Sequence, residues 1–226
     1  MSLTQRLLTG LLLSVMIILL ACKPTNSSFA QINQASSAPE IAFAISQAPL
    51  NLDPRYATDA ASERLNRLLY QSLVDFDIHT KPQPSVATWQ QISPLSYRFT
   101  LLETRRPFYY PSSAGGKAKT RKLNAYDVKA TYDSITAFSD SPHSAEFSNL
   151  QNIVVSDERT VLFHLNAPDR HFPAKLVLGI LPAELVKIKH DFAHLPVGSG
   201  PLVLLDSQKK WRLQRLDDGQ LISLIE

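Results

Sequence analysis

The order of apolar and polar residues divides the chain into three parts. Residues 7–21 are apolar except at three positions, and residues 24–39 consist mainly of Ser, Asn, Gln and Ala with almost no charge. From residue 40 onward, apolar residues alternate with other residues or recur at helical spacing. This order predicts an apolar leader, a flexible tether and a folded part that begins at residue 40.

Alternation in the folded part predicts strands, because successive side chains of a strand point to opposite faces. Residues 41–45 place Ile, Phe and Ile at alternate positions, which predicts a half-buried strand. Within residues 96–101 the odd-numbered residues are apolar and expected to be buried, whereas the even-numbered residues are expected to be exposed. Further strands are predicted at residues 160–165, around Trp211 and Leu213, and at residues 221–225.

Two segments have the spacing of amphipathic helices. The first begins after Asp59, whose carboxylate can accept hydrogen bonds from the free amides of a first turn. Its predicted apolar stripe is Ala61, Leu65, Leu68, Leu69, Leu73 and Phe76, and its solvated face is Ser62, Glu63, Asn66 and Arg67. The second begins after Asn124 as cap, and its buried side is Ala125, Val128, Tyr132 and Ile135. Because strands and helices do not strictly alternate, the α+β class is favoured over a doubly wound sheet.

The only cysteine, Cys22, directly follows the apolar leader. The leader is about fifteen residues long, whereas a membrane-spanning helix needs about twenty. An apolar stretch of this length behind a basic residue, here Arg6, is typical of an export signal. Residues 19–22, Leu-Leu-Ala-Cys, resemble a bacterial lipobox, which implies cleavage before Cys22 and acylation of its thiol. The alternative is a short membrane anchor with an incidental cysteine.

The lipobox divides the chain into a signal peptide at residues 1–22, a tether at residues 23–39 and a folded part at residues 40–226. Acylation of Cys22 would leave the exported part without a thiol and therefore without disulfides. Two or more acyl chains anchor a protein stably to a membrane. Lys23, which follows the cysteine, favours the outer membrane under the usual bacterial sorting rule. We therefore expect a lipid-anchored protein on the periplasmic side of the envelope.

His190 and His194 have the spacing of two zinc ligands on a helix. The acid between them is Asp191 rather than the longer glutamate of metallopeptidases, and Pro196 prevents the helix from continuing. A zinc hydrolase remains the less favoured alternative. We expect a solvated loop here, with no metal ligand and no catalytic residue.

The segment VGSGP, residues 197–201, has neither the lysine of a phosphate loop nor the spacing of a nucleophile elbow. Gly198 and Gly200 permit positive φ angles, and Pro201 fixes the exit of the turn. We therefore predict a tight turn that leads into a strand.

Residues 105–122 carry six basic residues and no acid, interleaved with Phe108 and two tyrosines. Basic and aromatic residues together can bind nucleic acids or other polyanions. The Gly, Ser and Pro content instead favours an exposed hairpin tip, and a net charge of +3 is small for a polyanion-binding protein. We predict no nucleic-acid partner. An envelope scaffold, or a truncated relic, that uses this basic loop remains an alternative. The basic residues are Arg105, Arg106, Lys117, Lys119, Arg121 and Lys122.

Five segments, in order and spacing across residues 41–206, resemble family 5 of the bacterial extracellular solute-binding proteins, the peptide and nickel class that serves ABC importers. They are LNLDPRYATDAASERLNRLLYQSLVDFD, PSVATWQQISPLSYRFTLLE, LNAYDVKATYDSI, NIVVSDERTVLFHLNAPDRHFPAKLVLGILPAEL and LPVGSGPLVLLD.

The resemblance implies a periplasmic-binding-protein-like fold with two lobes that close over the ligand. Residues 40–56 would begin the first lobe, residues 57–170 would form a smaller lobe, and residues 171–226 would return to the first. The segment beside the cleft, and hence the implied ligand-binding residues, is Ala48, Pro49, Leu50 and Asn51. The implied partners are a peptide or related small solute and the permease subunits of an ABC importer, and the implied protein is a monomer without enzymatic activity or cofactor.

The chain also departs from the family pattern. Phe108 to Ser113 and the basic insertion replace the usual short F-x-D-G turn, and Leu202 stands where an aromatic residue often follows the G-x-G-P turn. Family members are considerably longer, so the resemblance implies only their N-terminal half, with the chain ending where a second large lobe would begin. On that basis we expect this chain to bind peptides very weakly or not at all, because the facing surface would be absent.

Overall fold

The computed structural model describes residues 39–111, 118–137, 140–208 and 210–225. The predicted lipidation site Cys22, the predicted leader and most of the predicted tether lie outside these residues. Within the described ranges, none of the helices combines the length and the apolar character that crossing a membrane requires.

The described residues form short strands and three α-helices. The strands are β1 Ile41–Ala44, β2 Val74–Phe76, β3 Pro82–Pro84, β4 Ala87–Ser93, β5 Ser96–Leu101, β6 Pro107–Tyr110, β7 Lys119–Lys122, β8 Leu150–Asp157, β9 Thr160–Leu165, β10 Leu202–Asp206, β11 Trp211–Arg215 and β12 Leu221–Ile225. The helices are α1 Ala60–Leu69, α2 Ala125–Ala137 and α3 Ala183–Lys187, with short 3-10 helices at Ser144–Phe147 and Phe172–Lys175. The predicted α+β class is confirmed.

A sheet of order β1-β12-β11-β10 joins the two ends of the described chain, with β1 parallel to β12. The prediction of strands in these regions is confirmed, but the predicted half-burial of β1 is wrong. Phe43 is 54% exposed, and all four residues of β1 are exposed. The alternation of residues 41–45 is present, yet β1 lies at the edge of its sheet, where only β12 pairs with it.

The second sheet, of order β4-β5-β9-β8, is antiparallel and packs against α2. Its core contains the predicted inward residues of β5 and β9. The ring of Phe163 contacts those of Phe99 and Tyr132 edge-on, at centroid distances of 5.3 Å and 5.7 Å. Ser96, predicted to be exposed, is buried, because its hydroxyl lies 2.8 Å from Nδ1 of His164 on the neighbouring strand.

Both predicted helix caps are confirmed. An oxygen of Asp59 accepts a hydrogen bond from the Ser62 amide at 2.9 Å, and the side-chain oxygen of Asn124 accepts one from the Tyr126 amide at 3.0 Å. The four predicted inward residues of α2 are fully buried. Each cap satisfies amides that the helix itself leaves unpaired.

Helix α1 ends earlier than its apolar stripe predicts. Leu73 and Phe76 lie beyond the helix, because the backbone is already extended at Tyr70. The Leu73 carbonyl accepts a hydrogen bond from the Ser85 amide at 3.1 Å, and Phe76 pairs with Pro82 in a two-stranded sheet. Long-range pairing of the backbone therefore replaces the helix from residue 70 onward.

The turn before β10 forms as predicted, but the predicted reason for its glycines is wrong. Among the described residues, Gly219 has a positive φ, whereas Gly198 and Gly200 do not. Their role is close approach: a Cβ on Gly198 would lie 1.9 Å from the carbonyl oxygen of Leu69, and a Cβ on Gly200 would lie 2.3 Å from that of Leu68. The missing side chains let the turn pack directly on the end of α1.

Candidate ligand-binding site

The segment predicted to line the ligand cleft, Ala48 to Asn51, is fixed to the first turn of α1. The Ser62 hydroxyl oxygen accepts hydrogen bonds from the backbone amides of Leu50 and Asn51, at 2.9 Å and 3.0 Å. This contact buries Ser62, which the sequence placed on the solvated face of the helix. The Leu50 side chain is 76% exposed. The segment therefore presents an apolar side chain to solvent on a well-held backbone.

A buried ion pair follows this segment. Nη2 of Arg55 lies 2.6 Å from Oδ2 of Asp53, and both residues are buried. Burial opposes the charge of the guanidinium, but the hydrogen bond and charge of Asp53 raise the pKa of Arg55 overall. Arg55 also donates to Oγ of Ser134 in α2 at 3.3 Å, and its carbonyl accepts from the Ser141 hydroxyl at 2.8 Å. The pair thus connects the predicted cleft segment to α2.

A cavity of about 370 Å³ lies between α1, the 3-10 helix at Ser144–Phe147 and residues 177–179. We call it the polar cavity. Residues 63, 66 and 67 contribute to its wall because they share one face of α1 at helical spacing, and Tyr70 follows directly after the helix. The charged and polar residues that define it are Glu63, Asn66, Arg67, Asp75, His143 and Glu146.

Asn66 is the most unusual residue of the polar cavity. It was predicted to be solvated but is only 8% exposed. Its amide oxygen and nitrogen are both buried, and within the described residues neither has a hydrogen-bond partner. An unpaired buried polar group costs about 1–3 kcal/mol, and because both amide atoms are closed to solvent, a molecule in the cavity would not reach them unless the side chain moved.

His143 lies on the opposite wall of the polar cavity. Its Nε2 is 3.2 Å from the carbonyl oxygen of Ala57, which also lines the cavity. Since a carbonyl oxygen can only accept, Nε2 carries the proton. In the neutral ring, Nδ1 is then left as a hydrogen-bond acceptor.

A second concave surface lies between α1 and the ends of β1 and β12. This apolar groove, of about 410 Å³, is lined by Ile45, Pro49, Leu65, Leu68 and Leu224, with Arg64 also on its wall. Of the four predicted ligand-binding residues, Pro49 lines this groove, and none of the four lines the polar cavity. Sequence reasoning missed the polar cavity, because its walls come from segments far apart in the chain. The sequence feature that could have indicated the cavity is the polar face of α1, which forms part of its wall.

The basic segment forms a hairpin, as predicted, since β6 pairs with β7. Most of its charges are already paired. Arg106 contacts Asp217 at 2.6 Å, Arg121 contacts Asp127 at 2.7 Å, and Lys122 contacts Glu103. Arg105 is buried and donates to the Leu123 carbonyl at 2.6 Å. Lys119 is exposed, and Lys117 lies outside the described residues. These contacts give the basic residues a structural role within the hairpin and its neighbours.

The two histidines with zinc-ligand spacing lie in a turn rather than on a helix. Nε2 of His190 is 2.8 Å from the Leu195 carbonyl oxygen, and Nδ1 of His194 is 2.9 Å from Oδ2 of Asp191. The hydrogen bond to His194 lowers the pKa of Asp191. No group of three or more potential metal ligands occurs in the part of the chain that the structure describes.

No protein-family model matches the chain. Curated relatives include the HTH-type transcriptional regulator SgrR of Escherichia coli K12 and that of Shigella flexneri, each 30% identical over 175 residues. The matched region covers 74% of this chain but 28% of either relative. The chain thus spans less than a third of the length of these regulators.

Solved structures of solute-binding proteins have the same fold. They include NikZ of Campylobacter jejuni in complex with Ni(L-His), with 19% identity and a TM-score of 0.68 over 83% of this chain. The oligopeptide-binding protein AppA of Bacillus subtilis, in complex with a nonapeptide, has 20% identity and a TM-score of 0.68 over 82% of this chain. The periplasmic binding protein DppA of Helicobacter pylori, in complex with the peptide STSA, has 23% identity and a TM-score of 0.65 over 82% of this chain.

The matched part covers 39% of the NikZ and AppA chains and 42% of the DppA chain. These structures share the fold of this chain, so the periplasmic-binding-protein-like fold that the resemblance to family 5 implies is confirmed.

Proposed function

We propose that the chain is a binding protein rather than an enzyme, and that it captures a peptide or a related small solute for an ABC importer. The observation that carries the proposal is the polar cavity, a concave surface of about 370 Å³ with charged and polar side chains on its walls. A concave surface with a few convergent polar groups is typical of a small-molecule site. The fold shared with NikZ, AppA and DppA supports the same function.

The division into lobes belongs to this proposal. Residues 40–56 and 171–226 would contribute to the first lobe, and residues 57–170 would form the smaller lobe. The sheet that joins β1 to β10, β11 and β12 supports the division, as does the second sheet, whose strands lie within residues 87–165. Ligand capture would not depend on a second copy, and we propose a monomer that delivers its solute to permease subunits.

Localisation is a further part of the proposal. We propose that the chain is anchored through acylated Cys22 on the periplasmic side of the envelope, with Lys23 directing it to the outer membrane. Mass spectrometry of the protein recovered from membranes would reveal a lipid-modified N-terminus at Cys22. Recovery of a chain with an intact leader and an unmodified thiol would contradict the anchor.

The binding function is testable by nuclear magnetic resonance, which detects weak ligands and identifies the residues they affect. Titration of the ¹⁵N-labelled 226-residue chain with a defined pool of tri- to pentapeptides is expected to give saturable shifts at the amides of Ala57, Asn66 and Gly179. Arg67→Leu, on the wall of the polar cavity, is expected to reduce these shifts, whereas Asn152→Leu on the exposed face of β8 leaves them unchanged. Absence of saturable shifts from a folded chain would contradict the proposal.

A second candidate function is solute sensing without transport. It is favoured by the 30% identity with relatives that are named transcriptional regulators. Uptake of a radiolabelled peptide by cells with and without this chain separates the two functions. Transport predicts loss of uptake without the chain, whereas sensing predicts unchanged uptake.

A further inference from the structure

An apolar surface lies uncovered around the apolar groove. Phe43 in β1 is 54% exposed, and Leu68 in α1 is 44% exposed. Phe43 pairs in register with Leu224 of β12, so the two side chains project from the same face of the sheet. Leu224 and Leu68 both line the groove, which places Phe43 next to it. We call Phe43, Leu68 and the groove together the apolar face.

The apolar face is closed at its base and open at its rim. Leu65, which lines the groove, is only 4% exposed, because it also belongs to the core between α1 and the sheet. Leu68, almost one turn further along α1, remains open to solvent. Apolar side chains that stay exposed around a concave surface are typical of an interaction surface. A partner can therefore cover this face without any opening of the core.

The apolar face carries one charged side chain among the described residues. Arg64 lines the groove one turn before Leu68 and is exposed. Within the described residues it forms no ion pair, whereas Arg106, for example, contacts Asp217 at 2.6 Å. A guanidinium beside exposed apolar side chains complements a surface in which anionic headgroups lie above an apolar layer.

The position of the apolar face along the chain favours the same partner. The predicted tether, residues 23–39, joins the predicted acylation site Cys22 to β1, which begins at Ile41. A flexible coil of that length spans about 20–25 Å on average. A chain held at its N-terminus would therefore keep β1 at a high effective concentration next to the bilayer. Under these conditions a small apolar surface is sufficient for contact, because the attachment has already offset most of the entropy of association.

We propose that the apolar face docks on the surface of the bilayer that holds the N-terminus, with Phe43 and Leu68 in contact with acyl chains and Arg64 beside anionic headgroups. This inference rests on the proposed localisation, to which it adds an orientation. The N-terminal attachment keeps the protein on the membrane, and the apolar face determines which side of the folded part is turned toward it.

Two single-cysteine variants test the contact. Because Cys22 is the only cysteine, Cys22→Ser combined with Ser46→Cys places a unique thiol on the wall of the groove. Cys22→Ser combined with Ile78→Cys is the matched control, since Ile78 is 93% exposed in the turn between β2 and β3, on a different sheet. The full 226-residue chain is reconstituted into vesicles, where its apolar leader is expected to hold every variant at the bilayer.

A fluorophore on the introduced thiol is quenched by a spin-labelled phospholipid only where it reaches the bilayer. In vesicles of phosphatidylcholine with about 30 mol% phosphatidylglycerol, quenching at residue 46 is expected to exceed that at residue 78 by at least about twofold. In phosphatidylcholine alone the excess is expected to decrease, since Arg64 then lacks an anionic partner. Equal quenching at the two residues would overturn the inference.

Substitutions within the apolar face identify the residues responsible. With the label at residue 46, the double variant Phe43→Ser, Leu68→Ser is expected to remove the excess quenching, and Arg64→Gln is expected to abolish its dependence on phosphatidylglycerol. Arg98→Gln removes the same charge from the exposed side of β5 and is expected to leave that dependence intact. Circular dichroism verifies that each variant is folded. Excess quenching that persists in the folded double variant would contradict the assignment to these side chains.

Further outcomes separate the docking from the proposed anchor. If the N-terminus is lipid-modified at Cys22 but the two labels are quenched equally, the docking is wrong and the anchor stands. If the leader is intact and the thiol unmodified, the anchor is wrong, and excess quenching at residue 46 then supports docking by a chain that its leader holds.

Other occupants of the apolar face give different results. A fluorescence change at residue 46 that depends on protein concentration in detergent, without vesicles, would assign the face to a second copy of the chain. A change on addition of the peptide pool, but none with vesicles, would assign it to the solute. Either result would overturn the inference.

Discussion

Gly198 and Leu69 approach each other so closely that a Cβ on Gly198 would lie 1.9 Å from the carbonyl oxygen of Leu69. The same oxygen accepts a hydrogen bond from the Gly200 amide at 2.9 Å. The Gly198 carbonyl accepts one from the Tyr109 amide at 2.9 Å, which connects the turn to β6. This contact brings the end of α1, the hairpin and the start of β10 to one point, beside the polar cavity.

Gly198→Ala is therefore expected to lower the free energy of unfolding by at least about 2 kcal/mol, because a backbone carbonyl cannot move aside as a flexible side chain can. Urea denaturation followed by circular dichroism measures the change. Gly219→Asn is the matched control: its φ of 74° is tolerated by asparagine, and a Cβ there would meet its nearest neighbour at 3.6 Å. Equal stability of Gly198→Ala and the wild type would contradict the close packing.

Asp53→Asn is expected to cost about 3–5 kcal/mol of stability, because it leaves the buried guanidinium of Arg55 without a counter-charge. The double variant Asp53→Leu, Arg55→Met is expected to be less destabilised, since it leaves no unpaired charge behind. For the exposed pair Arg215–Asp218, Asp218→Asn is expected to change stability far less, because solvent screens both charges. Denaturation midpoints at neutral pH provide the comparison, and similar losses at the two sites would contradict the structural role of the buried pair.

Stability is expected to fall as the pH decreases below about 4, and Asp59 contributes to this loss. Its partial burial raises the pKa, but hydrogen bonds from Ser62 outweigh that effect and lower it below its ordinary value. A lowered pKa in the folded state means that the stabilisation is present above the unfolded pKa and is lost as the pH falls through the folded one.

Two substitutions separate the charge of Asp59 from its capping role. Asp59→Asn retains an N-cap and is expected to reduce the pH dependence with little loss at neutral pH, whereas Asp59→Ala loses about 1 kcal/mol at neutral pH. Thermal unfolding over a pH series measures both. An unchanged acid dependence in Asp59→Asn would contradict the contribution of this carboxylate.

Arg121 connects the hairpin to two helices, since it contacts Asp127 of α2 at 2.7 Å and Glu184 of α3 at 2.8 Å. Arg121→Lys is expected to lower stability by about 1–2 kcal/mol. Lysine lacks the planar guanidinium whose several N–H groups let Arg121 donate to both carboxylates. Lys122→Gln, which removes the exposed contact with Glu103, is expected to have a smaller effect.

The titration of Tyr110 provides an independent measurement of this cluster. Burial and the hydrogen bond to Glu184 raise the pKa of Tyr110 to about 12. In Arg121→Lys we expect a change in the alkaline ultraviolet titration of this tyrosine, because Arg121 lies beside its hydroxyl and Glu184. An unchanged titration would show that the cluster does not act as a unit.

Local periodicity predicted two of the three α-helices and five of the twelve strands in the described residues. The caps Asp59 and Asn124, the buried side of α2 and the inward faces of β5 and β9 were each recognisable, because the residues concerned lie within one turn or one strand of each other. The resemblance to the solute-binding proteins rested on the order of such segments. Cys22 and the leader remain a prediction, since they lie outside the described residues.

The sequence by itself therefore determined several of the elements, the buried faces of α2, β5 and β9, and the family that the chain resembles. Only the tertiary structure decided that β1 would be an exposed edge, that α1 would stop at Leu69, and that Asn66 would be buried beside the polar cavity with no hydrogen-bond partner among the described residues. The physical reason is that periodicity specifies which face of an element is apolar. It does not specify which distant segment will cover that face, and the walls of the polar cavity come from residues as far apart as 54 and 201.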